Sequence, residues 1–286
     1  MSIPRNHHFV SEVHQKKFFN YQSNCIYVYD KQRKNLYSKR TTKTLFSERD
    51  SNTSFNHGTK DFTKIEGDLN VNFEQKLSNN IQIVEDFIKN REMNESINDA
   101  LFNIARFGVI GEFRTPRNKK GMDDALWEGF SKIMAQSTPE LKKGLDEVFA
   151  YRKEVKYSNV LTYSETANSI LELMGGLIFK IIIPKNNDDY FVLPDCSSIT
   201  VRDKINDYFN PDIKEIAYIG VPVTSKMFIH FFSEKLFKEN TPISEIIHEK
   251  SQVIRKINIE CMNFSQGKIA CESEEYLEQF VSSLDD

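Results

Sequence analysis

Met174-Gly175-Gly176-Leu177-Ile178-Phe179-Lys180-Ile181-Ile182-Ile183-Pro184 is the stretch that decides how this chain of 286 residues is built. It is the longest apolar run, but Gly175, Gly176 and Lys180 interrupt it, and it falls short of the roughly 18 apolar residues of a membrane span. Glycine readily takes the left-handed backbone that stops a helix. The run therefore reads as the end of a helix over 165–174 and a buried strand over 177–183, a junction of helical and sheet-forming halves.

Downstream, the pattern favours strands. Pro184-Lys185-Asn186-Asn187-Asp188 reads as a turn to a strand over 190–193, and 215–221 and 226–232 form a strand pair around Pro222-Val223-Thr224-Ser225. Residues 244–262 read as a helix, 268–270 as a short strand and 274–281 as a last helix. Upstream, Phe73, Leu77, Ile81, Val84 and Ile88 recur at helical spacing, and Asn94 starts a second helix through Ala100, Leu101, Ile104 and Phe107. Thr115-Pro116 opens a third, because threonine caps well and proline suits the first helical position. Its inward stripe is Met122, Leu126, Phe130 and Ile133, and Thr138-Pro139 starts a fourth helix.

Near the N-terminus, Ile26 and Val28 alternate with Tyr27 and Tyr29 as a half-buried strand, and Asp30-Lys31-Gln32-Arg33-Lys34-Asn35 turns into a second strand over 36–38. Residues 41–61 read as an exposed connection lying across a site. The expectation is one α+β domain over 1–286: a basic β-hairpin lobe (1–66), a central helical layer (67–156), and a mostly antiparallel sheet with helices (157–286).

Composition limits the function classes. Hydrophobic residues make up 39% and charged residues 28%, as in a folded domain. The four cysteines form no C-x-x-C pair and no apolar leader opens the chain, so the expectation is a cytoplasmic protein with reduced thiols and no membrane partner. There is no Gly-x-x-x-x-Gly-Lys loop, Gly-x-Gly-x-x-Gly fingerprint or Gly-x-Ser-x-Gly elbow, so no nucleotide cofactor is expected. The net charge of −3 hides an asymmetry, since residues 1–66 carry 12 Lys/Arg against 6 Asp/Glu. A positive lobe on an acidic body suits a nucleic-acid or nucleotide partner, or is simply a solvated face.

His7-His8-Phe9-Val10, Gln15-Lys16-Lys17-Phe18, Ile26-Tyr27-Val28-Tyr29-Asp30, Arg114-Thr115-Pro116, Leu193-Pro194-Asp195, Ile219-Gly220-Val221-Pro222 and Asn258 occur in an order that resembles the bacterial family catalogued as domain of unknown function 4238. The resemblance covers nearly the whole chain and is strongest in the first half. Where the family reads threonine-serine-aspartate-asparagine-proline, this chain keeps only Asp195, and Ser11 replaces a usual proline. The resemblance implies a role in bacterial anti-phage defence, and with it a phage-derived trigger.

The side chains suggest a chemistry. Neighbouring residues of an extended segment point to opposite sides, so His8 is expected to face inward and His7 to be solvated or supporting. His8, Asp30 and Glu48 are the catalytic candidates, and His8, Asp30, Glu66 and Asp195 the candidate ligands for Mg²⁺ or Mn²⁺, which would activate water against a phosphate. Lys16, Lys17, Arg114 and Arg117 are the candidate phosphate contacts. Each has a plainer reading: His8 as a core histidine, Asp30 as a turn residue, Glu48 and Glu66 as surface charges, Arg114 as an anchor at a helix start. Two functions follow, a toxic nuclease or nucleotide phosphodiesterase, or a non-enzymatic sensor of a phage component or small nucleotide that signals through a partner or as a homo-oligomer.

Overall fold

The computed structural model describes residues 5–56, 59–92, 94–206, 213–237 and 242–284. The chain begins with β1 (Asn6–His8), a short α1 (Glu12–Gln15) and one 3₁₀ turn, Lys16–Phe18. The expected hairpin follows as β2 (Ile26–Asp30) and β3 (Asn35–Lys39). Then come β4 (Ser47–Arg49), β5 (Ser54–Asn56) and β6 (Thr59–Asp61). Residues 41–61 are thus not an exposed connection: Leu45, Phe46, Ser51, Asn52 and Thr53 are buried, and β4 pairs with β1. His57 lies outside the described residues.

The helical section holds α2 (Lys64–Leu69), a π-helical turn over Asn70–Glu74, α3 (Gln75–Asn90), α4 (Glu95–Phe113), α5 (Pro116–Ala135) and α6 (Pro139–Arg152). Asn94 and Thr115 cap α4 and α5, their side chains accepting from Ile97 N–H and Asn118 N–H. The inward face of α5 differs from expectation, with Ile133 52% exposed and Lys119 and Trp127 buried.

α7 (Tyr163–Met174) ends at Gly175, as its sequence implied, but with φ 75° and ψ −141°, a positive-φ conformation that favours glycine and differs from the left-handed helical stop expected, and β7 (Leu177–Pro184) follows. Beyond it lie β8 (Leu193–Pro194), β9 (Ile199–Asp203), β10 (Glu215–Thr224), β11 (Met227–Ser233), β12 (Glu245–Glu249), α8 (Ser251–Phe264), β13 (Lys268–Cys271) and α9 (Glu274–Ser282). Two expectations change. The strand at 190–193 shrinks to β8 and pairs with β13 rather than β7, and the start of the expected helix over 244–262 is β12, parallel to β7. The reason is tertiary: Ile246 and Ile247 extend a pleated edge, where β-branched side chains pack well.

The central sheet has the order β12-β7-β11-β10-β9, antiparallel except for β12. One face carries Ile181, Ile219, Val221, Ile229 and Phe231 against α3, α4 and α7. The other carries Ile182, Tyr218 and Phe228 into a second core with α8, α9 and the four-stranded sheet β3-β2-β13-β8. That second sheet joins the N-terminal hairpin to the C-terminal end of the chain. The architecture is α+β. α4 lies tight on the central sheet, since a Cβ on Gly108 would stand 2.6 Å from side-chain carbons of Ile219 and Val221. Among the described residues no helix is long and apolar enough to cross a membrane.

Candidate functional site

The N-terminal segment is held in place by two buried side chains. His14 Nε2–H donates to the Pro222 carbonyl at 2.6 Å, edge-on to Phe18 and Phe107. Burial pushes its pKa down to about 4, against the pull of that bond. Arg114, 2% exposed, donates through Nη2 to the His8 carbonyl and to Glu74, both at 2.8 Å. Glu74 ends the π turn, whose wider winding lies where the helix meets this arginine. Nε and Nη1 of Arg114 are buried without a hydrogen-bond partner among the described residues.

Beside Arg114 the fold gathers a polar cluster from four segments. Asn52, between β4 and β5, is its hub: its N–H donates to His7 Nδ1 at 2.7 Å, its Nδ2 donates to Glu66 at 2.5 Å, and its side-chain carbonyl accepts from Lys119. Lys119 also donates to the Ser51 carbonyl at 2.9 Å. Burial, then repulsion from Arg114, push the Lys119 pKa down to about 7, although Glu66 and Glu48 raise it. An amine with that value exists in both protonation states at neutral pH, as acid–base catalysis requires.

Glu48 faces His7 across the β1–β4 pair and is bonded to Lys156 at 2.7 Å and to the Tyr157 hydroxyl at 3.4 Å. Its Oε2 is buried without a hydrogen-bond partner among the described residues. Burial and Glu48 push the Tyr157 hydroxyl far above its usual pKa, and burial pushes Tyr163 up to about 12. Lys119, Tyr157 and Tyr163 line a part-open cavity of about 20 Å³, along one side of which runs the segment 157–161, enough for about one water. That strap is pinned by Asn159, whose amide donates to the carbonyls of Ser51 and Thr53 at 3.1 and 2.9 Å, and by Ser158, which donates to Asp123.

A family model described as "Protein of unknown function (DUF4238)" matches residues 6–275. The chain belongs to that family. No curated protein and no solved structure was found to match it.

In this DUF4238 protein the expected site residues separate into groups. Glu48 and Glu66 enter the Lys119 cluster. His8 does not: the histidines are reversed, with His7 1% exposed and His8 partly exposed, its Nε2 3.3 Å from the Thr42 carbonyl and 3.5 Å from Glu12. Asp30 accepts the N–H groups of Gln32 and Arg33 at 3.0 Å, a turn bond that closes the β2–β3 hairpin. Asp195 accepts the N–H groups of Gln266, Gly267 and Lys268 at 2.7 to 2.9 Å. Burial raises its pKa against those three bonds. The expected metal set of His8, Asp30, Glu66 and Asp195 is therefore not assembled, and among the described residues no three His, Cys, Asp or Glu side chains gather as a metal site.

Of the expected phosphate contacts, Lys16 is exposed on the 3₁₀ turn and Lys17 half-buried, its carbonyl accepting from Ser225 N–H. Arg114 is committed to Glu74 and β1, and Arg117 is exposed on the first turn of α5. The residues that sequence reasoning passed over are Asn52, Lys119, Tyr157 and Tyr163, while His7, expected to be solvated or supporting, is buried and supporting. Only Lys119 left a signal: one turn before Met122, it continues the apolar stripe of α5, where a lysine is out of place.

Proposed function

We propose that this DUF4238 protein is an anti-phage effector that hydrolyses phosphodiester bonds in nucleic acid or nucleotides, with its reacting centre at Lys119 and Glu48. The observation that carries the reading is Lys119 itself, a buried amine with a pKa of about 7 on a cavity wall, beside Arg114 and between two carboxylates. Perturbed groups of this kind concentrate at reactive sites. In the proposed step the strap over 157–161 is displaced to admit the phosphodiester, since the cavity as it stands holds about one water; Glu48 then takes a proton from the attacking water, the water oxygen bonds to phosphorus, and the Lys119 ammonium protonates the departing ester oxygen as its bond to phosphorus breaks. The basic character of residues 1–66, six more Lys/Arg than Asp/Glu, favours a polyanionic substrate.

The strap beside the cavity favours one second reading, a sensor in which the cluster is structural and a phage component is recognised elsewhere. Incubating the full chain with labelled RNA, DNA and cyclic dinucleotides, with Mn²⁺ or EDTA, separates the two. Cleavage that Lys119→Met and Glu48→Gln abolish supports the hydrolase. Phage protection that survives both substitutions overturns it, and the EDTA arm decides whether a divalent ion takes part.

A further inference from the structure

α5 also borders an open groove that the proposed chemistry does not use. It encloses about 680 Å³ between the first turns of α5, the β8–β9 segment and the end of α8, within the roughly 300–1,000 Å³ typical of small-molecule sites. Arg117 stands on one wall, exposed and without an ion-pair partner among the described residues. Phe264, 41% exposed, lies on the wall formed by the end of α8. Between them are the amides of Asn118, Asn263 and Gln266, which offer both donors and acceptors.

Two of those amides are already oriented. Gln266 Nε2 donates to Thr115 Oγ1 at 2.7 Å, which leaves its carbonyl oxygen for a ligand. Asn118 donates to Glu112 at 3.3 Å, and the same carboxylate holds Thr200 at 2.6 Å and Arg202 at 2.9 Å. A guanidinium for a phosphate, an exposed aromatic face for a base, and fixed amides for base edges or sugar hydroxyls are the complement of one ligand class. We infer that this groove binds a nucleoside monophosphate or similar mononucleotide, at a site separate from the Lys119 cluster.

Calorimetric titration of the full chain with AMP, GMP, CMP and UMP tests this, alongside adenosine and inorganic phosphate alone. Because the readout is heat of binding, it is independent of whether the Lys119 cluster hydrolyses anything. At least one mononucleotide is expected to bind, with affinity falling about tenfold or more in Arg117→Ala and in Phe264→Ala, while Lys119→Met binds as the wild type does. Both substituted groove residues are exposed, and circular dichroism checks that the variants are folded. No binding by any mononucleotide at about 1 mM, where a weak small-molecule site is still measurable, overturns the inference. So does binding unchanged in both variants, or inorganic phosphate binding as tightly as the mononucleotide.

Discussion

Lys119 and His7 are joined through one residue, Asn52, which accepts from the lysine through its side-chain carbonyl and donates to the imidazole through its backbone N–H. Because His7 Nδ1 is the acceptor of that bond, the neutral ring carries its proton on Nε2. The lysine on α5 and the histidine on β1 thus hold each other's orientation across 112 positions of sequence.

Lys119 makes stability depend on pH in a defined direction. Its folded pKa of about 7 lies below the usual 10.5, so above pH 7 the unfolded chain binds more protons than the folded one and stability rises with pH. Urea unfolding at pH 7 and at about 7.8, where the thiols of Cys196, Cys261 and Cys271, whose pKa values burial raises in the folded chain, are still mostly protonated in the unfolded one, should show that rise in the wild type. Lys119→Met should remove it and, on the proposed chemistry, lower the rate of cleavage by about 10² or more.

Acid has its own signature. His14 and His230 both have pKa values pushed by burial to about 4. As pH falls from 6.5 towards 4 the unfolded chain takes up protons that the folded chain refuses, and stability is lost at about 1.4 kcal/mol per pH unit for each histidine. His14→Gln should flatten the unfolding free energy measured across this window by one proton's slope.

Separating Arg114 from Glu74 should be costly. Glu74→Gln leaves the guanidinium buried with one neutral partner and the His8 carbonyl, and Arg114→Met strands the carboxylate. Breaking a buried pair from one side typically costs about 3–5 kcal/mol. Thermal unfolding should show both variants well below the wild type, with Arg114→Met the lower of the two because it also frees β1.

Asp30 and Asp195 should respond differently to the same change. Asparagine makes the turn bond of Asp30 equally well, so Asp30→Asn should alter neither the melting temperature nor activity. Asp195 needs both oxygens for three N–H donors. Asp195→Asn should cost about 1–3 kcal/mol for the donors it leaves buried, read as a lower urea midpoint.

Local signals made much of the fold legible. The Asn94 and Thr115-Pro116 starts, the Gly175 stop and the alternation at 26–30 all specify structure through nearest neighbours. β12 was not legible, and of β8 a strand was but not its extent or partner, because what makes 245–249 extended is β7 lying beside it and what holds 193–194 is β13. The histidine reversal has a similar origin: β1 ends at His8, so strand parity does not carry from the buried Val10 back to the pair. The candidate site was legible only in Glu48 and Glu66. Its other members come from α5, the strap and the β4–β5 connection, and only the folded chain brings them together.

The π turn at Asn70–Glu74 works as a register shim. A π turn holds one residue more than the α-helical turn it replaces, so deleting a single residue there would let α2 and α3 run together as one regular helix. Each α-helical residue advances by about 100°. Because the wider turn absorbs that advance, the deletion would leave Glu66 and the α3 face in nearly their present relation, whereas one further inserted residue would swing α2 by that angle and carry Glu66 away from Asn52. Among sibling sequences a single deletion at this point would therefore leave the site intact, while a second insertion would mark a change in it as surely as a substitution of Lys119.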